Sequence, residues 1–222
     1  MDDNKREFID FMVRAEVLTF GDFVTKSGRK TPFFINAGKY RTGAQLAGLG
    51  EYYAASIDRE WPAAIDVLFG PAYKGIPLVA TTSIAMNARG RDVSFCFNRK
   101  EVEDHGEGGV LVGAPLNDGD RVLIVEDVTT AGTSIRETVP ILRAAADVEL
   151  AGLIVSVDRQ ERGTGSRSAL AEVAEEFEMP TRAIVTLDEV VAHLHGRELD
   201  GRVVLDDRLV ARIHEYRNEY GV

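Results

Sequence analysis

The sequence predicts an α/β fold in which a central parallel sheet is flanked by helices, and three observations carry that expectation. From about residue 43 onward, apolar strand-like runs alternate with stretches of helical period. Such alternation sets strands side by side in parallel, joined by right-handed crossovers. The run Arg121-Val122-Leu123-Ile124-Val125 holds four successive large apolar residues, so both of its faces need cover, as in a parallel sheet. The 222 residues suit one large domain, and no repeat, low-complexity tract or linker divides them. Residues 1–222 are therefore read as a single domain.

The elements follow in order. Phe8, Ile9, Met12 and Val13 share one face of a helix from Lys5 to Ala15. Two β-like pieces, Leu18 to Val24 and Pro32 to Ala37, flank the turn-forming Lys26-Ser27-Gly28-Arg29-Lys30. Leu46, Leu49, Tyr53 and Ile57 space a helix from Gly43 to about Ile57. A strand over Ile65 to Gly70 precedes a helix from Ile76 to Ala88, with Pro77 in its first turn. The strand Val93 to Phe97 leads into a long polar loop reaching about Ala114. After the strand ending at Val125 come a helix from about Ser134 to Ala146, a strand Leu150 to Val157, a helix Ser168 to Phe177 and a strand Arg182 to Val185. Short helices at Asp188 to His195 and Asp207 to Tyr220 finish the chain.

Composition narrows the function classes. A hydrophobic fraction of 45% with 28% charged residues is that of a folded soluble protein. The net charge of −10 argues against a general nucleic-acid or membrane-surface binder. Any anionic ligand must then be met locally, by a few fixed cations, a metal ion and backbone N–H groups. The start, Met1-Asp2-Asp3-Asn4-Lys5-Arg6, lacks the apolar core of a signal peptide. The weakly polar stretch Ile76 to Met86 is too short to span a bilayer. A cytoplasmic location is expected. Cys96 is the single cysteine, which excludes an internal disulfide. Within Val93-Ser94-Phe95-Cys96-Phe97 it reads as a small buried hydrophobe.

The most informative stretch is Val122-Leu123-Ile124-Val125-Glu126-Asp127-Val128-Thr129-Thr130-Ala131-Gly132-Thr133-Ser134. An apolar strand ends in two acids, a hydroxyl- and glycine-rich loop follows, and a helix begins. Loop N–H groups and the first turn of the helix form an anion cradle, Gly132 allows close approach, and the hydroxyls add donors. A helix capped by Ser or Thr would look similar without a ligand. The adjacent Glu126-Asp127 pair weighs against that: two carboxylates closing a buried strand are costly unless something cationic or hydroxylated meets them. Neither a Walker A ending nor G-x-G-x-x-G is present. A second strand–helix junction, Gly70-Pro71-Ala72-Tyr73-Lys74-Gly75, offers another cradle, with Lys74 adding charge, although alone it is an ordinary turn.

With these pieces in place, the segment 122–134 resembles the phosphoribosyl pyrophosphate (PRPP) motif of type I phosphoribosyltransferases. Further pieces resemble the bacterial orotate phosphoribosyltransferases over nearly the whole chain: Phe20-Gly21-Asp22-Phe23, the run from Lys26 to Gly38, Leu68 to Pro77, Cys96 to Glu101, Asp104 to Gly109, and Asp158-Arg159-Gln160-Glu161-Arg162-Gly163. The resemblance implies the type I phosphoribosyltransferase fold, with a small base-binding hood from the N-terminal part and a mobile lid loop at 98–113. It implies transfer of the ribose phosphate of PRPP to orotate, giving orotidine 5′-monophosphate and pyrophosphate, with Mg²⁺ held mainly through PRPP and no dedicated metal ligands in the protein.

Roles carry over residue by residue. Glu126 and Asp127 meet the ribose 2′- and 3′-hydroxyls, and Val128, Thr129, Thr130, Ala131, Gly132, Thr133 and Ser134 hold the 5′-phosphate. Lys26, Tyr73, Lys74, Arg99, Lys100 and His105 contact PRPP, with Lys26, Arg99, Lys100, His105 and Asp127 the catalytic set. Phe34 and Ile35 read first as core residues; by analogy their backbone, with Thr130 and Arg159, holds orotate. Arg159 stands at the C-terminal end of a strand, where ligands of open α/β sheets bind, and suits a planar carboxylate. Otherwise it is a surface salt-bridge residue. Because Arg99 and His105 reach a neighbouring site in the family, the resemblance also implies a homodimer with shared active sites.

Two departures stand out. Glu103 occupies a position where the family pattern has a lysine, leaving Arg99 and Lys100 against Glu101, Glu103, Asp104 and Glu107. Glu126 replaces the more usual Asp and retains its charge. The alternative function is a PRPP-sensing regulator with impaired catalysis, with Glu103 as its mark, though a chain at −10 offers no evident nucleic-acid face.

Overall fold

A computed structural model describes residues 1–25, 28–63, 65–100, 110–128 and 132–222. The apolar runs form a six-stranded sheet in the order β5-β4-β3-β6-β7-β8. Its members are β3 (Val67–Gly70), β4 (Ser94–Asn98), β5 (Leu111–Gly113), β6 (Arg121–Val125), β7 (Glu149–Asp158) and β8 (Thr181–Thr186). The four pairings among β4, β3, β6, β7 and β8 run parallel as expected. The edge strand β5 runs antiparallel to β4, so the sheet is mixed. That strand was expected to be loop. Three residues with a glycine carry too little apolar periodicity to announce a strand; the free edge of β4 supplies the pairing partner instead.

Helices α2 (Gly43–Glu60), α3 (Gly75–Ala88), α4 (Thr133–Ala145), α5 (Ala169–Phe177) and α6 (Leu187–Leu194) connect or follow the strands. Strand residues alternate between two cores. Leu68, Leu123, Val125 and Ile154 join one cluster with Ile57, Val79 and Met86. Their neighbours Val67, Phe69, Val122, Ile124, Leu153 and Val155 join the other with Ile135, Val139 and Val173. Period-2 alternation with both faces covered explains why these runs are almost wholly apolar. Cys96 is buried in the second cluster, and burial pushes its thiol up to about 12.

Outside the sheet, α1 (Asp3–Arg14) is capped by Asp2, which accepts from Lys5 N at 2.9 Å. The strands β1 (Leu18–Val24) and β2 (Lys30–Ile35) form an antiparallel hairpin with a register shift between Phe20 and Phe23. This hairpin lies in the N-terminal part that the resemblance assigns to the hood. A 3₁₀ turn at Ala37–Lys39 replaces the expected end of the second piece. A second small hairpin, β9 (Glu198–Leu199) with β10 (Arg202–Val203), was not anticipated. Helix α7 (Asp207–Tyr220) returns to the hood, where Tyr216 meets Phe33 edge-on at 5.7 Å. No described helix is long and apolar enough to cross a membrane.

Candidate active site

The sheet order fixes where a ligand can sit. From β3 the chain moves outward to β4 and β5, then returns to β6 on the other side of β3. The junction of β3 and β6 is thus a topological switch point, and its crevice opens at the C-terminal strand ends. Both candidate cradles lie there: Gly70 to Gly75 after β3, and Glu126 onward after β6.

Glu126 is nearly enclosed. Its backbone N–H donates to Ile154 O at 3.0 Å, and its carbonyl accepts from the Tyr53 hydroxyl at 2.7 Å. Its carboxylate accepts from Ser134 Oγ at 2.6 Å and from Asp127 N at 3.1 Å. Burial pushes this carboxyl up, and the neighbouring Asp127 charge adds to it; the Ser134 bond pulls the other way, and the outcome is about 7. Asp127 is fixed through its carbonyl, which accepts from Ser156 N at 2.8 Å and Ser156 Oγ at 2.5 Å. Its side chain meets Lys74 Nζ at 3.0 Å, which ties the two cradles together across the switch point.

The alternative of a Ser or Thr side-chain cap finds no support at the start of the helix. Helix α4 is N-capped by Gly132 at φ 72°, with no side-chain cap bond. A Cβ there would lie 2.7 Å from Val173 Cγ2, so both the left-handed backbone and the close packing call for glycine. Ser134 spends its hydroxyl on Glu126 instead.

The second cradle is equally tight. A Cβ on Gly70 would lie 2.3 Å from Gly75 O, and one on Gly75 would lie 2.6 Å from Gly70 C. The two glycines let the turn close on itself and present Tyr73, which is 67% exposed, together with Lys74 at the start of α3. The Ala72–Tyr73 peptide is cis. Ala72 N donates to Asn98 Oδ1 at 2.8 Å, and Lys100 Nζ stands 5.6 Å from the Tyr73 ring centre. Arg99 continues from β4, its N–H donating to Val110 O at 2.7 Å.

Six of the predicted residues thus converge at the switch point: Glu126, Asp127, Ser134, Tyr73, Lys74 and Lys100. Lys26, His105, Thr129, Thr130, Ala131 and Glu103 lie outside the described residues.

Ile35 packs against the first core cluster as read, whereas Phe34 differs from the first reading. Both are half-buried, whereas Phe33 is the fully buried core residue of β2. Phe34 stacks on Phe23 at 5.6 Å on the hairpin itself, because alternation along the strand turns it away from the core. Arg159 is not a surface residue: it is 7% exposed, bonded to Glu161 and stacked on Phe33.

Sequence reasoning missed Tyr53, Asn98 and Ser156. Only Ser156 carried a signal, as the lone hydroxyl in the apolar run 153–157.

A strand ending in an acid pair, beside two strand–helix junctions at a switch point, fits the class of transferases that act on a phosphorylated sugar. The family signature described as "Phosphoribosyl transferase domain" matches residues 39–184, which span both cradles. An orotate phosphoribosyltransferase of Clostridium beijerinckii is 60% identical over 98% of this chain and 97% of that protein. That of Lachnoclostridium phytofermentans is 57% identical over 100% of this chain and 99% of that one. The crystal structure of orotate phosphoribosyltransferase from Francisella tularensis superposes with a TM-score of 0.83 at 38% identity, covering 97% of this chain and 100% of that one. The chain belongs to the orotate phosphoribosyltransferases of the phosphoribosyl transferase family.

Proposed function

We propose that this protein transfers the phosphoribosyl group of PRPP to orotate, with inversion at the anomeric carbon, giving orotidine 5′-monophosphate and pyrophosphate in pyrimidine biosynthesis. The observation that carries the reading is the Glu126–Asp127 pair at the switch point, bridged by Asp127 to Lys74 of the opposite cradle. The full-length likeness to orotate phosphoribosyltransferases supports it and lends nothing to the regulatory alternative.

Glycosidic cleavage builds positive charge on the ribose and negative charge on the departing pyrophosphate. A ring nitrogen of orotate is the nucleophile, so the protein's tasks are positioning, charge stabilisation and exclusion of water. Glu126 and Asp127 hold the two ribose hydroxyls, and the segment 128–134 takes the 5′-phosphate. Tyr73 and Lys74, joined by Lys26, Arg99, Lys100 and His105, receive the pyrophosphate. The backbone of Phe34 and Ile35, with Thr130 and Arg159, holds orotate. Lys74 must exchange its bond to Asp127 for the ligand, so ligand entry frees the acid to accept from ribose.

The donor set fits a magnesium ion held mainly by the ligand's own oxygens. Asp127 offers one partly exposed carboxylate at the crevice. Bound there, Mg²⁺ would supply Lewis-acid stabilisation of the leaving group. The active unit in this reading is a cytoplasmic homodimer, with Arg99 and His105 serving the neighbouring site.

The test follows the loss of orotate absorbance with purified protein, PRPP and Mg²⁺. Loss requiring all three, and not reproduced with uracil or a purine base, is expected. PRPP binding without turnover would overturn the assignment in favour of a sensor.

A further inference from the structure

Arg159 does not stand alone. Its Nε and one of its terminal nitrogens, Nη2, both donate to Glu161 Oε1, at 2.9 and 2.6 Å. The guanidinium lies 4.6 Å from the centre of the Phe33 ring. The same Glu161 oxygen accepts from the Tyr216 hydroxyl at 2.8 Å, and Oε2 faces Arg29 Nη1 at 3.4 Å. Glu161 is 5% exposed and Tyr216 6%. Burial pushes the Tyr216 hydroxyl above its usual range, so it keeps its proton and donates at neutral pH. Arg29 in turn lies 4.2 Å over the Tyr220 ring.

Two consequences follow from the chemistry of arginine. Glu161 occupies the Nε/Nη2 edge of the guanidinium and Phe33 one face. The Nη1/Nη2 edge, the fork that matches a planar carboxylate, has no acceptor among the described residues. The side chains joined at Glu161 are two cations and one anion, so Glu161 does not neutralise both arginines and the open fork of Arg159 can meet a ligand carboxylate. Asp158, next along the chain, is turned to the backbone N–H of Gln160 at 2.8 Å. The end of α7 is pinned to this segment by backbone bonds from Arg162 N to Tyr220 O at 2.9 Å and from Val222 N to Gln160 O at 3.1 Å.

We propose that Glu161 and Tyr216 are positioning residues that lock Arg159 with its open edge toward the base site, so that preference for a carboxylate-bearing base is set in part by the C-terminal helix α7. This rests on the reading of Arg159 as the orotate contact. Glu161 spends its charge holding the arginine in one rotamer, and Tyr216 fixes the glutamate.

Tyr216→Phe keeps the ring contacts with Phe33 and Tyr220 and removes the hydroxyl alone. It is expected to raise KM for orotate roughly 3- to 10-fold, less than the full worth of one hydrogen bond to a charged group because the loss acts on the ligand only through Arg159. The KM for PRPP, kcat and inhibition by uracil, which has no carboxylate, should stay within about twofold of wild type. Glu161→Gln should show the same split with a larger rise, and Arg159→Ala a rise at least as large. An unchanged orotate KM in Tyr216→Phe and Glu161→Gln, beside a raised one in Arg159→Ala, would overturn the positioning role and leave the Arg159 reading standing. An unchanged orotate KM in Arg159→Ala would remove that reading, and the proposal with it. A parallel rise in both KM values together with a fall in Tm would show Glu161 and Tyr216 to be structural only.

Discussion

Replacing Glu126 with Gln should make the ligand-free protein more stable at alkaline pH while weakening PRPP binding. The Glu126 carboxyl is buried beside Asp127 and is pushed from an ordinary 4.5 to about 7. A carboxyl whose folded value is raised holds its proton better in the native state than in the unfolded one. Its favourable contribution is therefore complete below about pH 4.5 and is lost as pH rises through 7. At pH 8 the difference corresponds to roughly 3 kcal/mol of native-state strain from one buried charge. Glutamine removes the charge and retains the shape. Its oxygen can accept from Asp127 N, and its amide can donate to a rotated Ser134 hydroxyl, so neither partner is stranded. For a chain of this length, roughly 3 kcal/mol is about 6–12 °C in Tm. Calorimetry of wild type and Glu126→Gln at pH 8 and pH 5 is the assay. The variant should melt several degrees higher at pH 8, with the gap closing toward pH 5, and its KM for PRPP should rise because a ribose hydroxyl loses an anionic acceptor. Equal melting temperatures at pH 8, or a gap independent of pH, would refute the view that Glu126 carries its charge at a cost in stability for the sake of the ligand.

Two further substitutions test other parts of the site. Gly70→Ala places a Cβ 2.3 Å from the Gly75 carbonyl oxygen, a backbone atom that no rotamer change relieves. It should cost roughly 1–3 kcal/mol and raise KM for PRPP by shifting Tyr73 and Lys74. A variant with wild-type Tm and KM would contradict the tight-turn argument. Glu103→Lys removes an anion from a segment that holds Arg99, Lys100, Glu101, Asp104 and Glu107. It should raise kcat/KM for PRPP if that segment meets pyrophosphate, and steady-state kinetics showing no gain or a loss would count against that role.

The sequence by itself determined the α/β class, the order of its main strands and helices, and the two strand–helix junctions read as cradles. The reason is local. Strands buried on both faces must be apolar throughout, and an anion cradle at a strand–helix junction needs glycine, hydroxyls and acids within a dozen positions, as Val122 to Ser134 provides. Elements held by partners distant in sequence left no such trace. The short β5 exists because β4 has an open edge, and β9–β10 is two residues on each side. The tertiary structure alone decided which polar groups meet. Lys74 reaches Asp127 because β3 and β6 are neighbours across the switch point. Ser156 grips Asp127 because β6 and β7 are paired. Arg159 and Glu161 after β7, Phe33 of the hood and Tyr216 of the C-terminal helix gather from three distant parts of the chain, and no spacing along it could announce that meeting. Pattern in one dimension reports what each residue must avoid, whereas the pairing of buried charges depends on which surfaces the fold brings face to face.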